Sequence, residues 1–280
     1  MCIRDSHHRG ASARQTEECA GQELRYERRG GAFPICHCER SAAIHAFGVT
    51  GLPRRYAPRN DDSTSEVSTE LTVLYADDAL LVLEKPSGLL SVPGRGADKQ
   101  DCLSLRAQRV YPDALVVHRL DMATSGLMVM ARGAAAQRIL NAAFAAREVN
   151  KRYLAIVDGE LTEPATDWGV IDLPIAPDWP RRPLRIIDHQ NGQPSVTRWR
   201  LLGYHPTEGT SRLELEPVTG RSHQLRVHLQ ALGHPILGDA LYACPRIQGM
   251  AARLLLHASS IELQHPVSGM SMRFVSPPGF

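Results

Sequence analysis

A carboxylate, a tyrosine and a scatter of arginines carry the chemical potential of this chain. Asp121 lies within His118-Arg119-Leu120-Asp121-Met122-Ala123-Thr124-Ser125-Gly126. The apolar run Leu115-Val116-Val117 precedes that stretch, and the run Leu127 to Met130 follows it. A carboxylate at a turn between two buried strands is costly unless something uses it or pairs with it. That makes Asp121 the leading candidate for a nucleophile or general base. By residue type alone, a turn aspartate bonding nearby amides is the commoner use.

A second constellation is Pro217-Val218-Thr219-Gly220-Arg221-Ser222-His223-Gln224-Leu225-Arg226-Val227-His228. A strand ends at Thr219-Gly220 and a helix follows at once, with Ser222 as its cap and Gly233 just past its end. Arg221 is then near the positive end of a helix, beside free backbone N–H groups, which suits a phosphate or carboxylate. Arg221 would also keep Asp121 ionised; a solvated first-turn arginine is the plainer reading. His223 and His228 are five apart and do not share a face as a zinc-binding pair would. Polar surface or packing roles are favoured for both.

Tyr153 opens a strand in Asn150-Lys151-Arg152-Tyr153. Such a tyrosine is usually an amphipathic core residue, but it also suits stacking on a base and placing a hydroxyl for proton transfer. Alternation along the strand turns Arg152 the other way. Further arginines, among them Arg119, Arg181, Arg182 and Arg226, are spread along the chain, and Arg181-Arg182-Pro183 follows Asp178-Trp179-Pro180 in a loop. They suit contacts to an RNA backbone; a solvated charged surface is equally open.

The elements that must position these groups begin near Leu71. Leu71 to Tyr75 and Leu80 to Leu83 read as strands around an Ala-Asp-Asp turn, and Lys85-Pro86-Ser87-Gly88 as a breaker. Leu103 to Val110 reads as a short helix. Val116 to His118 and Leu127 to Ala131 read as strands flanking the Asp121 turn. Ala134 to Arg147 is rich in helix formers, with Ile139, Leu140, Ala143 and Phe144 as its apolar residues. Tyr153 to Val157, Val196 to Leu202 and Arg212 to Leu215 are further strands. A helix runs from Ser222 to Leu232 with Leu225, Leu229 and Leu232 on one face. Leu254 to Leu256, Ser260 to Leu263 and Met270 to Val275 complete the order. Strands dominate, so the expected class is α+β with a mixed, mostly antiparallel central sheet and flanking helices and loops.

The bulk numbers set few limits. The 280 residues, 43% hydrophobic and 22% charged, describe an ordinary globular chain able to bury a core. A net charge of +2 neither demands nor excludes nucleic acid. No run approaches a membrane span, and the start has no apolar signal region. Four of the six cysteines fall in the first forty residues, which is no disulfide framework. Cys36-His37-Cys38 has no second pair at finger spacing, so no metal is expected. A reducing cytoplasm is the simplest compartment. Residues 1–68 contain no lysine and show no helical or strand period. They read as a disordered or non-native extension, and 69–280 as the catalytic domain.

Taken together, His118-Arg119-Leu120-Asp121 with Thr124-Ser125-Gly126 resembles the signature of the RluA family of pseudouridine synthases. The resemblance runs from about Leu71 to Phe280. It includes Lys85-Pro86-Ser87-Gly88, Lys151-Arg152-Tyr153, Thr219 to Arg226, and Gly233-His234-Pro235-Ile236-Leu237-Gly238-Asp239. Ser91-Val92-Pro93-Gly94-Arg95, Met122-Ala123 and the Asp178-Trp179-Pro180 loop are most similar to the A type. That type lacks the N-terminal S4-like domain of many relatives.

The resemblance implies the pseudouridine synthase fold and a cofactor-free isomerisation of uridine. Asp121 matches the catalytic aspartate, acting at ribose C1′ as a nucleophile or by assisting glycal formation. Tyr153 matches the tyrosine that stacks on the uracil and helps remove the C5 proton. Arg221 matches the arginine that pairs with the aspartate, and Arg119 the residue that enters the stack when the target is flipped out. His118, Thr124, Arg152, Arg181, His223 and Arg226 are expected to contact substrate. The implied partner is RNA: a 23S rRNA hairpin-loop uridine and the first anticodon-loop uridine of some tRNAs; a monomer is the default expectation. The alternatives are the same chemistry at another RNA site, or an RNA-binding relative without activity.

Overall fold

The computed structural model describes residues 71–164 and 166–280. The readings made for residues 1–68, including the Cys36-Cys38 pair and the missing S4-like domain, lie outside the described residues.

The strands are β1 (Thr72–Ala76), β2 (Leu80–Lys85), β3 (Ala114–Val116), β4 (Ser125–Arg132), β5 (Asn150–Asp158), β6 (Gly169–Asp172), β7 (Ile175–Pro177), β8 (Arg185–Ile187), β9 (Val196–His205), β10 (Thr210–Pro217), β11 (Leu256–Gln264) and β12 (Ser271–Val275). The helices are α1 (Leu103–Val110), α2 (Gly133–Ala146), α3 (Gln224–Ala231) and α4 (Pro245–Gln248). The main sheet runs β1-β2-β4-β11-β5-β10-β9-β6, with β3 added on β4 and β12 on β11, while β7 and β8 form a separate hairpin. The β4–β11 pair is parallel and the other pairs are antiparallel. The fold is therefore the α+β arrangement expected, with a mixed and mostly antiparallel sheet.

Leu80 to Leu83 of β2 and Leu127 to Ala131 of β4 are unbroken apolar runs because both faces of this part of the sheet are covered. Leu80, Val82, Leu127, Val129 and Ala131 pack with Ala136 and Leu140 of α2. Their neighbours Leu81, Leu83, Met128 and Met130 point the other way, onto Leu103 and Ala107 of α1. In the second half of the sheet Ala155, Val157, Leu213 and Leu215 pack on Leu225 and Leu229 of α3. Burying each such leucine contributes roughly 1.5–3 kcal/mol, so each helix is fixed mainly by two or three side chains.

The two halves of the sheet meet at a narrow seam. Only Ser125 and Gly126 of β4 pair with β11, opposite His257 and Ala258. Gly126 has φ 111°, and a side chain there would run into the Ala258 backbone. The glycine is thus required for the two halves to join. The seam also sets the site. Gly126 lies opposite Ala258, Ala258 opposite Tyr153, and Tyr153 opposite Leu215. Tyr153 is therefore held two strand spacings from the end of the Asp121 turn, about 10 Å.

Several sequence expectations shift by local physics. Ile139 is exposed, so the inner face of α2 is Ala136, Leu140, Ala143 and Phe144. Helix α3 starts at Gln224, not at Ser222, and its N-cap His223 adopts a left-handed conformation with φ 58°. Ser222 does not cap it; the Gln224 side chain instead folds back, accepting the Arg221 N–H (3.0 Å) and the Thr219 hydroxyl (2.7 Å). Leu232 is the C-cap and is exposed. The two strands expected between Leu254 and Leu263 are one strand, β11, with a register shift between Ala258 and Ser260. No helix among the described residues is long and apolar enough to cross a membrane.

Candidate active site

The Asp121 turn is tied down from both sides. Its own backbone closes with Thr124 N–H on Asp121 C=O at 3.1 Å. The Met122 carbonyl accepts Gly88 N–H (2.9 Å) and Lys85 Nζ (3.0 Å), and the Ala123 carbonyl accepts the Ser87 hydroxyl (2.7 Å). Ahead of the turn, Ser91 Oγ both accepts Leu120 N–H (3.0 Å) and donates to Leu120 C=O (2.7 Å). The segment after β2 is thus a clamp on the turn.

Lys85 anchors that clamp. Its side chain is fully buried, and Nζ donates to the carbonyls of Pro86 (2.8 Å), Leu89 (2.8 Å) and Met122 (3.0 Å). Three donors and three acceptors match one ammonium group. Burial pushes its pKa down to about 7, and the nearby charge of Asp121 opposes that.

The Asp121 carboxylate is 29% exposed and faces Arg226, with Oδ2 3.5 Å from Nη1. Arg226 is only 4% exposed and is gripped by Asp239 through bonds of 2.8 and 2.6 Å. Burial works against the guanidinium charge, but those bonds hold the Arg226 pKa above its ordinary value. His223 Nε2 approaches Asp121 Oδ1 at 4.0 Å, while Nδ1 lies 2.6 Å from the Tyr242 hydroxyl. That hydroxyl accepts Arg185 N–H at 3.0 Å. The hydroxyl keeps both its own proton and a second lone pair for Nδ1, so the His223 tautomer sets which of the two donates. Burial lowers the His223 pKa, Asp121 opposes this, and Arg226 adds to it.

Asp121, His223 and Arg226 line a cleft of about 530 Å³. Asp121 is the one carboxylate among its described lining residues, against Arg119, Arg147, Lys151, Arg221 and Arg226. Such a balance attracts a polyanion and does not offer the paired carboxylates of a typical glycoside hydrolase. Tyr153 stands in the wall; burial, then the Asp121 charge, raises its phenol pKa well above the ordinary value, so it is a neutral phenol. His118 accepts Val129 N–H on Nε2 (2.8 Å) and stacks on Phe144 with centroids 4.7 Å apart. Burial, then the Lys151 charge, pushes its pKa down to about 3.

His118, Arg119, Asp121, Thr124, Tyr153, Arg221, His223 and Arg226 are thus brought together at one cleft. The pairing expected for Arg221 is corrected: Arg226, one turn into α3, faces Asp121, and Arg221 makes no ion pair with it among the described residues. Arg221 precedes the helix, at the bend where Gln224 holds its backbone, and its side chain stays at the cleft wall. Arg152 does not join the cleft. It pairs with Glu216 and lies 4.5 Å from the centre of the Trp168 ring, on the other side of β5 from Tyr153. Arg181 pairs with Asp178 in the β7–β8 loop, also outside the cleft lining.

Three supporting residues escaped sequence reasoning. Lys85 carried a signal, a lysine ending an apolar strand. Asp239 carried one too, in the Gly238-Asp239 motif. Nothing around Tyr242 distinguished it.

Comparison with known proteins adds to this geometry. The family model described as RNA pseudouridylate synthase matches residues 79–231. The dual-specificity RNA pseudouridine synthase RluA of Escherichia coli K12 is 50% identical over 210 residues, covering 75% of this chain and 94% of that protein. The protein of the same description from Pasteurella multocida is 43% identical over the same length. Among solved structures, human RNA pseudouridylate synthase domain containing 1 superposes with a TM-score of 0.62. It is 28% identical and is matched over 76% of this chain and 85% of that one.

Proposed function

Because the chain belongs to the RNA pseudouridylate synthase family, we propose that Asp121 is the group through which it isomerises uridine in RNA. The observation that carries the reading is the setting of Asp121. It is the one carboxylate in a cationic cleft, clamped in position by the Lys85–Ser91 segment and faced by the buried cation Arg226.

The reaction neither adds nor removes atoms. Asp121 attacks ribose C1′ or takes a ribose proton in forming a glycal. The C1′–N1 bond breaks and the uracil turns. A new bond joins C5 to C1′ as the C1′–Asp121 ester bond breaks or, on the glycal path, as Asp121 returns its proton to C2′; the C5 proton then leaves, and N1 gains a proton. Arg226 favours the ionised form of Asp121 at the start. Tyr153 stacks on the uracil, and as a phenol it can relay the C5 proton only by exchanging its own. Arg119, exposed at the cleft, fills the place that the flipped uridine leaves. Thr124, His118 and His223 shape the base pocket, and Arg221 holds phosphate.

We place the catalytic unit at residues 69–280 and carry to this chain the dual specificity of the relatives. The substrates are a 23S rRNA hairpin loop and a tRNA anticodon loop, met in the cytoplasm by a monomer that uses no cofactor. The test is chemical mapping of pseudouridine in rRNA and tRNA transcripts incubated with the protein and with Asp121→Asn. The expected result is a modified loop uridine in each RNA with the unsubstituted protein and none with the variant, which still binds RNA. Full turnover by Asp121→Asn would sink the assignment.

A further inference from the structure

The β7–β8 hairpin carries an aromatic group that the reaction, as derived, does not use. Its strands pair Pro177 with Arg185, and the loop between them is braced from within. Asp178 N–H donates to Leu184 C=O (3.0 Å), Leu184 N–H to Arg181 C=O (3.0 Å), and Arg181 N–H to Asp178 C=O (3.2 Å). The nearly buried Asp178 carboxylate also binds the Arg181 guanidinium at 2.6 Å. This bracing leaves Trp179 67% exposed at the tip. An indole that open adds little to the core, and the loop does not need it for closure.

Arg182 stands over the Trp179 ring, 3.6 Å from its centre. A cation on one face holds an indole ready for a further planar partner on the other. The hairpin root is wired to the cleft: Arg185 N–H bonds the Tyr242 hydroxyl, which bonds His223, which faces Asp121. Trp179 is two residues beyond Pro177, the strand partner of Arg185, so few residues separate the tip from that chain of contacts. The Arg185 Nε is buried and has no hydrogen-bond partner among the described residues. The one acid of the loop, Asp178, is paired with Arg181, so the tip offers the Arg182 cation and an exposed indole.

We propose that Trp179, backed by Arg182, is a stacking platform for an unpaired nucleobase next to the flipped uridine, and so helps decide which RNA loops are accepted. Single-stranded bases are held in this way, by an aromatic face beside cations that take the phosphates. The proposal rests on the RNA pseudouridine synthase reading and names part of its substrate contact.

The experiment measures binding and single-turnover modification of an anticodon stem-loop RNA by the full chain. Trp179→Ala should raise the RNA Kd roughly five- to a hundredfold, with the rate constant at saturating RNA retained. Trp179→Phe should restore most of the affinity, and the thermal midpoint of both variants should match the unsubstituted protein. Loop nucleotides are then replaced one at a time by abasic sites. One position should weaken binding to the unsubstituted protein yet cost Trp179→Ala nothing further. A Kd for Trp179→Ala within about twofold of the unsubstituted protein, or abasic penalties that add at every position, overturns the platform. Failure of the unsubstituted protein to make pseudouridine in any RNA instead overturns the functional reading, and the Kd series is scored without reference to it.

Discussion

Asp239 holds Arg226 through two bonds of 2.8 and 2.6 Å, and it is this grip that presents the remaining Nη1 edge to Asp121 at 3.5 Å. The two acids around one arginine have opposite duties. Asp239 is 1% exposed and compensates a buried cation, while Asp121 is partly open to the cleft. Removing one partner of a buried pair costs about 3–5 kcal/mol, because the other charge is left behind. Asp239→Asn is therefore expected to lower the unfolding free energy by about that amount in a urea titration, and to lose turnover as Arg226 shifts. Asp121→Asn should abolish turnover while stability stays within about 1 kcal/mol. Equal stability losses in the two variants would refute this division.

Arg221 and Arg226 should separate in the same way. Arg221 has no ion pair with Asp121 and lines the wall of the cleft, where a phosphate would pass. Arg221→Ala is expected to weaken RNA binding and to reduce the dependence of log Kd on log salt by about one phosphate contact. Its rate constant at saturating RNA should stay close to that of the unsubstituted protein. Arg226→Lys keeps the charge but cannot bond Asp239 through two nitrogens and still reach Asp121. It should lose single-turnover rate with little change in the salt slope. An unchanged salt slope for Arg221→Ala would remove its phosphate role.

The site was legible where function and local pattern coincide. Asp121 stands out because a charge between two apolar runs is anomalous, and Leu80 to Leu83 of β2 and Leu127 to Ala131 of β4 are unbroken runs because helices cover both their faces. The choice between Arg221 and Arg226 was not legible. It depends on where α3 begins, and a side chain decides that. Gln224 bonds Thr219 and the Arg221 N–H, moves the helix start two residues on, and turns Arg226 inward. Strands β6, β7 and β8 were missed for another reason. They are three or four residues long, too short for a period, and Ile175 and Ile187 become a strand pair only by meeting each other. The break expected in β11 marks a real irregularity at Ala258–Ser260, yet β5 pairs across it and the strand continues. Asp239 and Tyr242 reach the site through a loop after α3, which local periodicity cannot foresee.

Tyr153 can be divided into its ring and its hydroxyl. Burial and the Asp121 charge hold it as a phenol, so ionisation near neutral pH is not available to it. If the hydroxyl relays the C5 proton, Tyr153→Phe keeps the stack and loses the relay. RNA Kd should then stay within about twofold, while the single-turnover rate falls by roughly 10²–10⁴. Tritium release from RNA labelled at uridine C5 reads the lost step directly. A phenylalanine variant with full tritium release would leave Tyr153 as a stacking residue only.

His118 gives a pH dependence whose sign follows from its bond. Nε2 accepts the Val129 N–H, so protonation there would break a hydrogen bond and put a charge in the cleft wall. Its folded pKa is down at about 3, below the ordinary 6.5. Between those values the unfolded chain binds the proton and the folded chain does not. The contribution to stability is thus complete above about pH 6.5 and is lost as pH falls toward 3. His118→Gln can still accept the Val129 N–H through its amide oxygen, but it does not titrate. Unfolding free energies of the two proteins, compared from about pH 6 to pH 4, should differ in slope by about 1.4 kcal/mol per pH unit. The variant should be the less acid-sensitive. The imidazole should also remain neutral by ¹⁵N NMR throughout that range. A His118 signal that titrates near pH 6.5, or parallel stability curves, would show that the ring is free of the Val129 bond.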